Sequence, residues 1–199
     1  MSTLYFEKIS KYDRASEPVY VSIPFARGRL RDPQRLVVRD GDRALPLQTR
    51  VLATWPDGNI KWLFVHLQPD LPGNHSKTLE FEIADAPAVV ASDARVTVRE
   101  TAQGLHVDTG PLAFDVPRVG FWPIVNVRLE GKPIWGERPF SGFAVRLQRD
   151  GESELVGSAQ GDVSLEIEDA GPLCVSIIVK GKHHRANGEP YLDLVGRIT

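Results

Sequence analysis

Apolar and polar residues alternate with a period of two along most of this 199-residue chain. In residues 77–83, KTLEFEI, the apolar side chains of Leu79, Phe81 and Ile83 fall on one side and two glutamates on the other. Such alternation is typical of half-buried strands, and no long stretch repeats the i, i+3, i+4, i+7 pattern of an amphipathic helix. The pattern therefore predicts an all-β protein.

Turn residues divide these segments and indicate two units. Asp-Gly pairs such as Asp57-Gly58 stand between alternating stretches, as expected of tight turns. Residues 83–94, IADAPAVVASDA, are rich in alanine and lose the alternation, which is typical of a linker. We therefore predict a first domain over residues 1–85 and a second over 95–199.

The last residues, YLDLVGRIT, still alternate where the sequence stops, with Leu192, Leu194 and Ile198 on one face. A strand edge with unpaired backbone groups can pair with another chain. We therefore expect this segment to be cut or exposed at a boundary within a longer protein. Self-association through this C-terminal strand, or poor order there, is the expected consequence for the isolated chain.

Composition narrows the possible partners. The 24 basic and 26 acidic side chains give a formal net charge of -2, so no nucleic-acid partner is expected, and the basic stretch ARGRLRD at 26–32 is interpreted as a solvated loop. One cysteine excludes an internal disulfide and fits a reducing compartment. The N-terminus lacks a signal-peptide pattern, and no run approaches the ~18 apolar residues of a membrane span. We expect a cytoplasmic protein without a membrane partner, unless a leader has been removed.

The segment TWPDGNIKW, residues 54–62, predicts a hairpin whose turn contains Pro56 and Asp57-Gly58. The following strand is apolar on both faces, which predicts a central strand with Trp62 in the core. Trp55 lies at the turn and is expected to be half covered. It is either a platform on which a sugar ring stacks or a ring that closes the end of the hairpin.

The stretch from IPFARGRLRD to TWPDGNIKWLFVHL, residues 23–67, resembles the N-terminal barrel domain of the exo-acting rhamnogalacturonan lyase-like family. The matching residues are Pro24, Phe25, Gly28, Asp40, Gly41, Pro46, Gln48, Trp55, Pro56, Asp57, Gly58, Ile60, Lys61 and Trp62. Residues 95–199, with DTGPLAFDV, VRLEGKPIW and EDAGPLCVSIIVKGKHH, look like the first strands of the sandwich that follows. The resemblance implies a small β-barrel, then the start of an antiparallel β-sandwich. In the family an α/α-toroid catalytic domain comes next, and this sequence contains no helical region that could be it.

Residues 180–191, KGKHHRANGEPY, carry the richest local supply of reactive groups. A lyase needs a base and a positive group beside the uronate carboxylate, and the residue types of Lys182, His183, His184, Arg185 and Tyr191 suffice. The stretch equally fits a polar hairpin loop around Asn187-Gly188, and adjacent histidines on a strand point to opposite sides. With Trp55 and Arg27, these five are the candidate substrate-binding residues. No catalytic residue is assigned.

No metal site or cofactor is predicted. The five histidines and one cysteine show no H-x-x-x-H or C-x-x-C spacing, and no phosphate-binding glycine loop or Gly-x-Ser-x-Gly turn occurs. The leading hypothesis is a non-catalytic β-rich portion of a carbohydrate-active, lyase-like protein. Its partners would be a pectin or rhamnogalacturonan chain and a downstream catalytic domain of the same protein. The alternatives are a free-standing carbohydrate-binding module and a small lyase that uses the 180–191 loop.

Overall fold

A computed structural model describes residues 2–93, 95–121, 123–134, 143–158 and 161–199. Trp135, the last residue of the segment VRLEGKPIW, and Ala94, the last residue of the predicted linker, lie outside these ranges.

Within the described residues the chain forms β-strands, one short 3-10 turn at Pro33–Arg35, and no α-helix, so the all-β prediction is confirmed. The strands are β1 (Ser2–Phe6), β2 (Val19–Pro24), β3 (Leu36–Asp40), β4 (Arg43–Ala44), β5 (Gln48–Thr54), β6 (Ile60–Leu67), β7 (Lys77–Ile83), β8 (Thr97–Glu100), β9 (Gly104–Asp108), β10 (Leu112–Pro117), β11 (Val125–Leu129), β12 (Lys132–Pro133), β13 (Ala144–Arg149), β14 (Glu152–Gly157), β15 (Ser164–Ala170), β16 (Val175–His184) and β17 (Pro190–Ile198).

The chain divides into two compact units, Met1–Asp93 and Ala94–Thr199. The alanine-rich segment after β7 returns to the 3-10 turn, where the amides of Ala84 and Ala88 donate to the carbonyls of Arg35 and Gln34 at 2.8 and 2.9 Å. Part of the predicted linker is thereby fixed to the first unit. The domain boundaries 1–85 and 95–199 stay predictions.

The first unit contains two antiparallel sheets, in the orders β1-β7-β3-β4 and β2-β6-β5. Alternate residues of both sheets form one core, which includes Leu79 of β7, Val38 of β3 and Leu63 of β6, each 0% exposed. β6 pairs with β2 on one edge and with β5 on the other. It is therefore the central strand that its apolar sequence predicted.

The predicted burial of Trp62 is wrong. Leu63, Val65 and Leu67 of β6 are at most 1% exposed, whereas the Trp62 side chain, on the opposite face, is 40% exposed. Successive side chains of a strand point to opposite faces. Leu63, Val65 and Leu67 pack into the core, whereas Trp62 lies on the other face, from which Ile60 at the start of the strand also joins the core.

The second unit contains a sheet in the order β12-β11-β10-β9-β8 and another in which β16 contacts β14, β15 and β17. Both sheets contribute to one core, for example Val107 and Val116 from the first and Ile177 and Val179 from the second. All their named pairings are antiparallel. The assignment to the β-sandwich of the family stays a prediction.

β17 is part of this second sheet. It pairs with β16 from Pro190 to Ile198, and Leu194 and Ile198 pack against the core of the second unit. The strand predicted for the last residues is therefore present. Leu192, predicted on the same face, is 38% exposed.

Candidate functional site

The turn at residues 55–59 is held by two backbone hydrogen bonds. The amide of Trp55 donates to Asn59 O at 2.7 Å, and the amide of Gly58 donates to Trp55 O at 2.9 Å. Gly58 has φ +80°, a conformation that glycine adopts without strain. The hairpin predicted from Pro56 and Asp57-Gly58 is confirmed.

The loop between β2 and β3 is bound to this turn at several points. The indole Nε1 of Trp55 donates to Phe25 O at 3.1 Å, and the amide of Phe25 donates to Lys61 O at 3.0 Å. The amide of Ile60 donates to Leu30 O at 2.7 Å. The two most distinctive parts of the sequence motif, around Phe25 and around Trp55, are therefore hydrogen-bonded to each other. These contacts give the motif residues a structural role.

An ion pair completes the junction. Arg27 Nε donates to Asp57 Oδ2 at 2.6 Å, and Asp57 Oδ1 accepts the amide of Asn59 at 3.1 Å. The hydrogen bond from Arg27, followed by those from Asn59, holds the pKa of the Asp57 carboxyl well below its usual range. Asp57 is therefore ionised near neutral pH and supports the turn in that form.

Trp55 is partly buried rather than open. Its N–H is engaged by Phe25 O, and Lys61 Nζ lies 4.8 Å from the centre of its ring. These contacts match the interpretation in which the ring closes the end of the hairpin. The structure brings Trp55 and Arg27 together through the same turn, and their role in substrate binding stays a prediction.

A cleft of about 390 Å³ opens beside this loop. Phe25 and Arg29 line it from the loop, and Phe81 and Glu82 line it from β7. Glu82 is paired with Arg39 at 3.2 Å, whereas the Arg29 side chain is exposed at the cleft. Arg29 was not among the predicted substrate-binding residues, although it lies in the basic stretch 26–32 that the sequence shows.

The 180–191 segment forms the hairpin between β16 and β17, as the loop interpretation predicted. The amide of Arg185 donates to Glu189 O and that of Gly188 to Arg185 O, both at 2.9 Å. Asn187 Oδ1 accepts the amide of Glu189 at 3.0 Å. The turn thus repeats the hydrogen-bond pattern of residues 55–59.

The charged candidates of this hairpin contact side chains within the second unit. Lys182 Nζ donates to Asp193 Oδ1 at 2.6 Å, and this bond lowers the pKa of the Asp193 carboxyl. Arg185 Nη1 lies 3.5 Å from Glu154 Oε2, and the guanidinium carbon lies 4.5 Å from the centre of the Tyr191 ring. Lys182 and Arg185 are therefore directed to different partners.

The two histidines diverge, as predicted for neighbours on a strand. His183 is 5% exposed and points to the same side as the core residues Ile177 and Val179. Its ring nitrogens have no hydrogen-bond partner among the described residues. The His184 ring lies on the other side, against Gly161. The five candidates of this segment thus do not surround a common point.

A polar cluster in the second unit was not predicted. His106 Nδ1 lies 2.7 Å from Asp115 Oδ1, and Asn126 Nδ2 donates to Asp115 Oδ2 at 2.9 Å. His106 and Asp115 are opposite each other on β9 and β10, on the face away from the core. His106 and Asp115 each alternate with buried apolar residues, which is visible in the sequence and places them on the outer face of their strands. Only the pairing of β9 with β10 brings the two side chains together.

Among the described residues, no group of three or more His, Cys, Asp or Glu side chains has a geometry that could hold a metal ion. The same part of the chain has no helix with the length and apolar character needed to cross a membrane.

Comparison with known proteins finds a domain family that is similar to the first unit. Residues 8–79, which include the β2–β3 loop and the Trp55 turn, match the sequence profile of the PcRGLX-like N-terminal RIFT barrel domain. This segment is therefore similar to the N-terminal RIFT barrel domain of rhamnogalacturonan lyase-like proteins. The resemblance seen in the sequence is thereby confirmed for the barrel.

The similarity to one relative extends beyond the barrel domain. Over 199 residues the chain is 25% identical to the "Uncharacterized protein YetA" of Bacillus subtilis strain 168, and the match covers 96% of this chain. It covers 22% of YetA, so the chain spans less than a quarter of that relative's length.

Proposed function

We propose that this chain is a non-catalytic, β-rich part of a carbohydrate-active, polysaccharide lyase-like protein that acts on a pectin or rhamnogalacturonan type of substrate. The observation that carries the proposal is the match of residues 8–79 to the RIFT barrel domain of rhamnogalacturonan lyase-like proteins. A fold match alone does not assign a reaction, so the accessory role is argued from the candidate residues.

The contacts of the 180–191 hairpin support an accessory role. Lyase chemistry requires a base and a cation that converge on the carbon beside a uronate carboxylate. Here Lys182 is bonded to Asp193, Arg185 contacts Glu154 and Tyr191, and His183 is buried. The alternative of a small lyase that uses this loop is therefore less well supported.

Two further observations support an acidic polysaccharide as substrate and a separate catalytic domain in the same protein. The exposed Arg29 at the cleft beside Phe25 offers a cation to an acidic sugar. The match covers only 22% of YetA, so the rest of such a relative is long enough to include a separate catalytic domain. We propose that this domain follows the β-rich part and packs against it.

The test is an assay of the purified 199-residue chain on rhamnogalacturonan. Cleavage by elimination creates a double bond that absorbs in the ultraviolet, and we expect no such absorbance to develop. Retention of the chain on an immobilised rhamnogalacturonan matrix is the positive half of the test.

Turnover that persists through purification and disappears in His183→Ala, Lys182→Ala or His106→Ala would contradict the accessory role. Failure to bind any pectic polysaccharide would contradict the substrate class.

A further inference from the structure

The cleft beside the β2–β3 loop has the size and lining of a small-ligand site. Its volume is about 390 Å³, and most of its walls are apolar, with Phe25 from the loop and Phe81 from β7. The polar residues that line it are Ser2, Arg29 and Glu82. Clefts that hold small ligands measure roughly 300–1,000 Å³ and combine apolar walls with a few polar groups. The cleft therefore suits a ligand of one or two small rings that carries a polar group.

The charges of the lining indicate which polar group that is. Glu82 accepts a hydrogen bond from Arg39 Nε at 3.2 Å, so its charge is compensated. The Arg29 side chain makes no hydrogen bond or ion pair with any described residue. Its neighbour Arg27, by contrast, is bonded to Asp57 at 2.6 Å. The guanidinium of Arg29 thus keeps its donors for a ligand, and it favours an anion.

The backbone that carries Arg29 is fixed on both sides. Before it, Phe25 O accepts the indole N–H of Trp55 at 3.1 Å. After it, Leu30 is 1% exposed in the core, and its carbonyl accepts the amide of Ile60 at 2.7 Å. A segment that is ordered before binding loses less conformational freedom when a ligand arrives. Arg29 is therefore presented at the cleft by a loop that does not have to fold around the ligand.

We infer that this cleft binds one galacturonate residue of a pectic chain, with the carboxylate on the Arg29 guanidinium and the sugar ring against the apolar walls. The inference rests on the proposed function for its ligand class. A guanidinium matches a carboxylate through two parallel N–H···O bonds, whereas a neutral sugar would leave its charge without a partner. Arg29 is then the residue that makes the chain select acidic sugars over neutral ones.

The experiment is calorimetric titration of the full chain with backbone fragments of rhamnogalacturonan and with the same fragments after reduction of their carboxylates to alcohols. Reduction should weaken binding to the wild type about tenfold, the usual effect of removing a charge-assisted bond. Arg29→Gln should weaken binding of the acidic fragment by a similar factor. It should show no further loss on reduction, because both changes remove the same interaction.

Arg31→Gln is the matched control. Arg31 is an exposed arginine of the same basic stretch, but it does not line the cleft. The variant has the same net charge as Arg29→Gln and should bind both kinds of fragment as the wild type does. Arg29→Lys should fall between wild type and Arg29→Gln, because lysine keeps the charge but not the planar pair of donors.

A second variant tests the cleft independently of its charge. Ala26 is exposed and lines the cleft, so Ala26→Trp should fill part of it without disturbing the core. We expect this variant to weaken binding of acidic and reduced fragments alike, by about tenfold or more. Thermal melts of all variants should stay close to wild type, since each substituted side chain is exposed.

The outcomes separate the cleft from the proposed function. If the wild type binds acidic fragments and Arg29→Gln behaves like Arg31→Gln, the role of Arg29 is wrong and the proposed function stands. Unchanged affinity in Ala26→Trp would place the ligand outside the cleft and overturn the inference. Equal affinity of the wild type for oligoglutamate would show that the cleft does not select a sugar. Failure of the wild type to bind any acidic pectic fragment would contradict the proposed substrate class, and the inference with it.

Discussion

Asp57 connects the two most distinctive parts of the barrel motif. Its carboxylate accepts from Arg27 of the β2–β3 loop and from the amide of Asn59 within its own turn. Both bonds are made to the ionised form, which is why the pKa of this carboxyl is lowered. The charge of one exposed side chain is thus coupled to the position of the loop that lines the cleft.

We predict that Asp57→Asn lowers the melting temperature at pH 7 and that the difference from wild type narrows progressively in acid. Because the pKa of Asp57 is lower in the folded than in the unfolded chain, protonation favours unfolding. The stabilisation is complete above the ordinary carboxyl value of about 4 and is lost as the pH falls below it. Melting curves between pH 7 and pH 2 measure this difference.

Asp42→Asn is the control, since Asp42 is an exposed aspartate on another turn of the same unit. Its melting temperature should follow that of wild type at every pH. A gap between Asp57→Asn and wild type that stays constant down to pH 2 would show that the carboxylate charge is not what supports the turn.

The two tryptophans of the motif show what residue patterns can and cannot determine. Proline, aspartate and glycine determine the turn locally, so the hairpin was predictable from the sequence. Which face of β6 meets the core depends on the sheet opposite, and a strand that is apolar on both faces does not reveal it. The prediction for Trp62 failed for this reason, while Leu63 and Val65 on the other face are fully buried.

At the scale of elements, the packing of β16 and β17 depends on two glycines, Gly181 and Gly196. A Cβ atom added at Gly196 would lie 2.6 Å from Phe121 Cζ, and one added at Gly181 would lie 2.8 Å from Val163 Cγ1. Phe121 is 4% exposed, so its ring has little room to move. Gly196 therefore allows the Phe121 ring, and Gly181 allows the Val163 side chain, to pack closely against the strands.

We predict that Gly196→Ala destabilises the second unit by about 1–3 kcal/mol, the usual cost of overpacking a core. Gly157→Ala on β14 is the matched control, because a Cβ atom there would meet nothing within 4 Å. It should be close to neutral. Urea denaturation of both variants provides the comparison, and equal stability of the two would contradict the close packing of Phe121.

At the scale of the whole molecule, the sequence predicted the class of fold better than the site. Alternation identified strands such as β7 and β17 because it is a local property of the chain. The ring contacts of Tyr20 with Phe64 and His66, and the His106–Asp115 pair, depend on which strands become neighbours and in what register. The register of a strand pair cannot be assigned from spacing alone, so these contacts were not predicted.

Self-association through β17 is the remaining prediction at this scale. β17 pairs with β16 on one edge, and no described strand pairs with its other edge. Val195 is 65% exposed and Tyr191 45% exposed on this strand. An open edge with exposed apolar side chains can pair with the same strand of a second copy, which would satisfy its backbone groups and cover these side chains.

We therefore expect light scattering to show a mass that rises with the concentration of the chain. Val195→Glu should suppress this rise, because a charge on an edge strand opposes edge-to-edge pairing. Hydrogen exchange of residues 190–198 should slow at high concentration in wild type but not in the variant. A mass that is independent of concentration, with exchange at this edge equally fast throughout, would show that β17 does not mediate association.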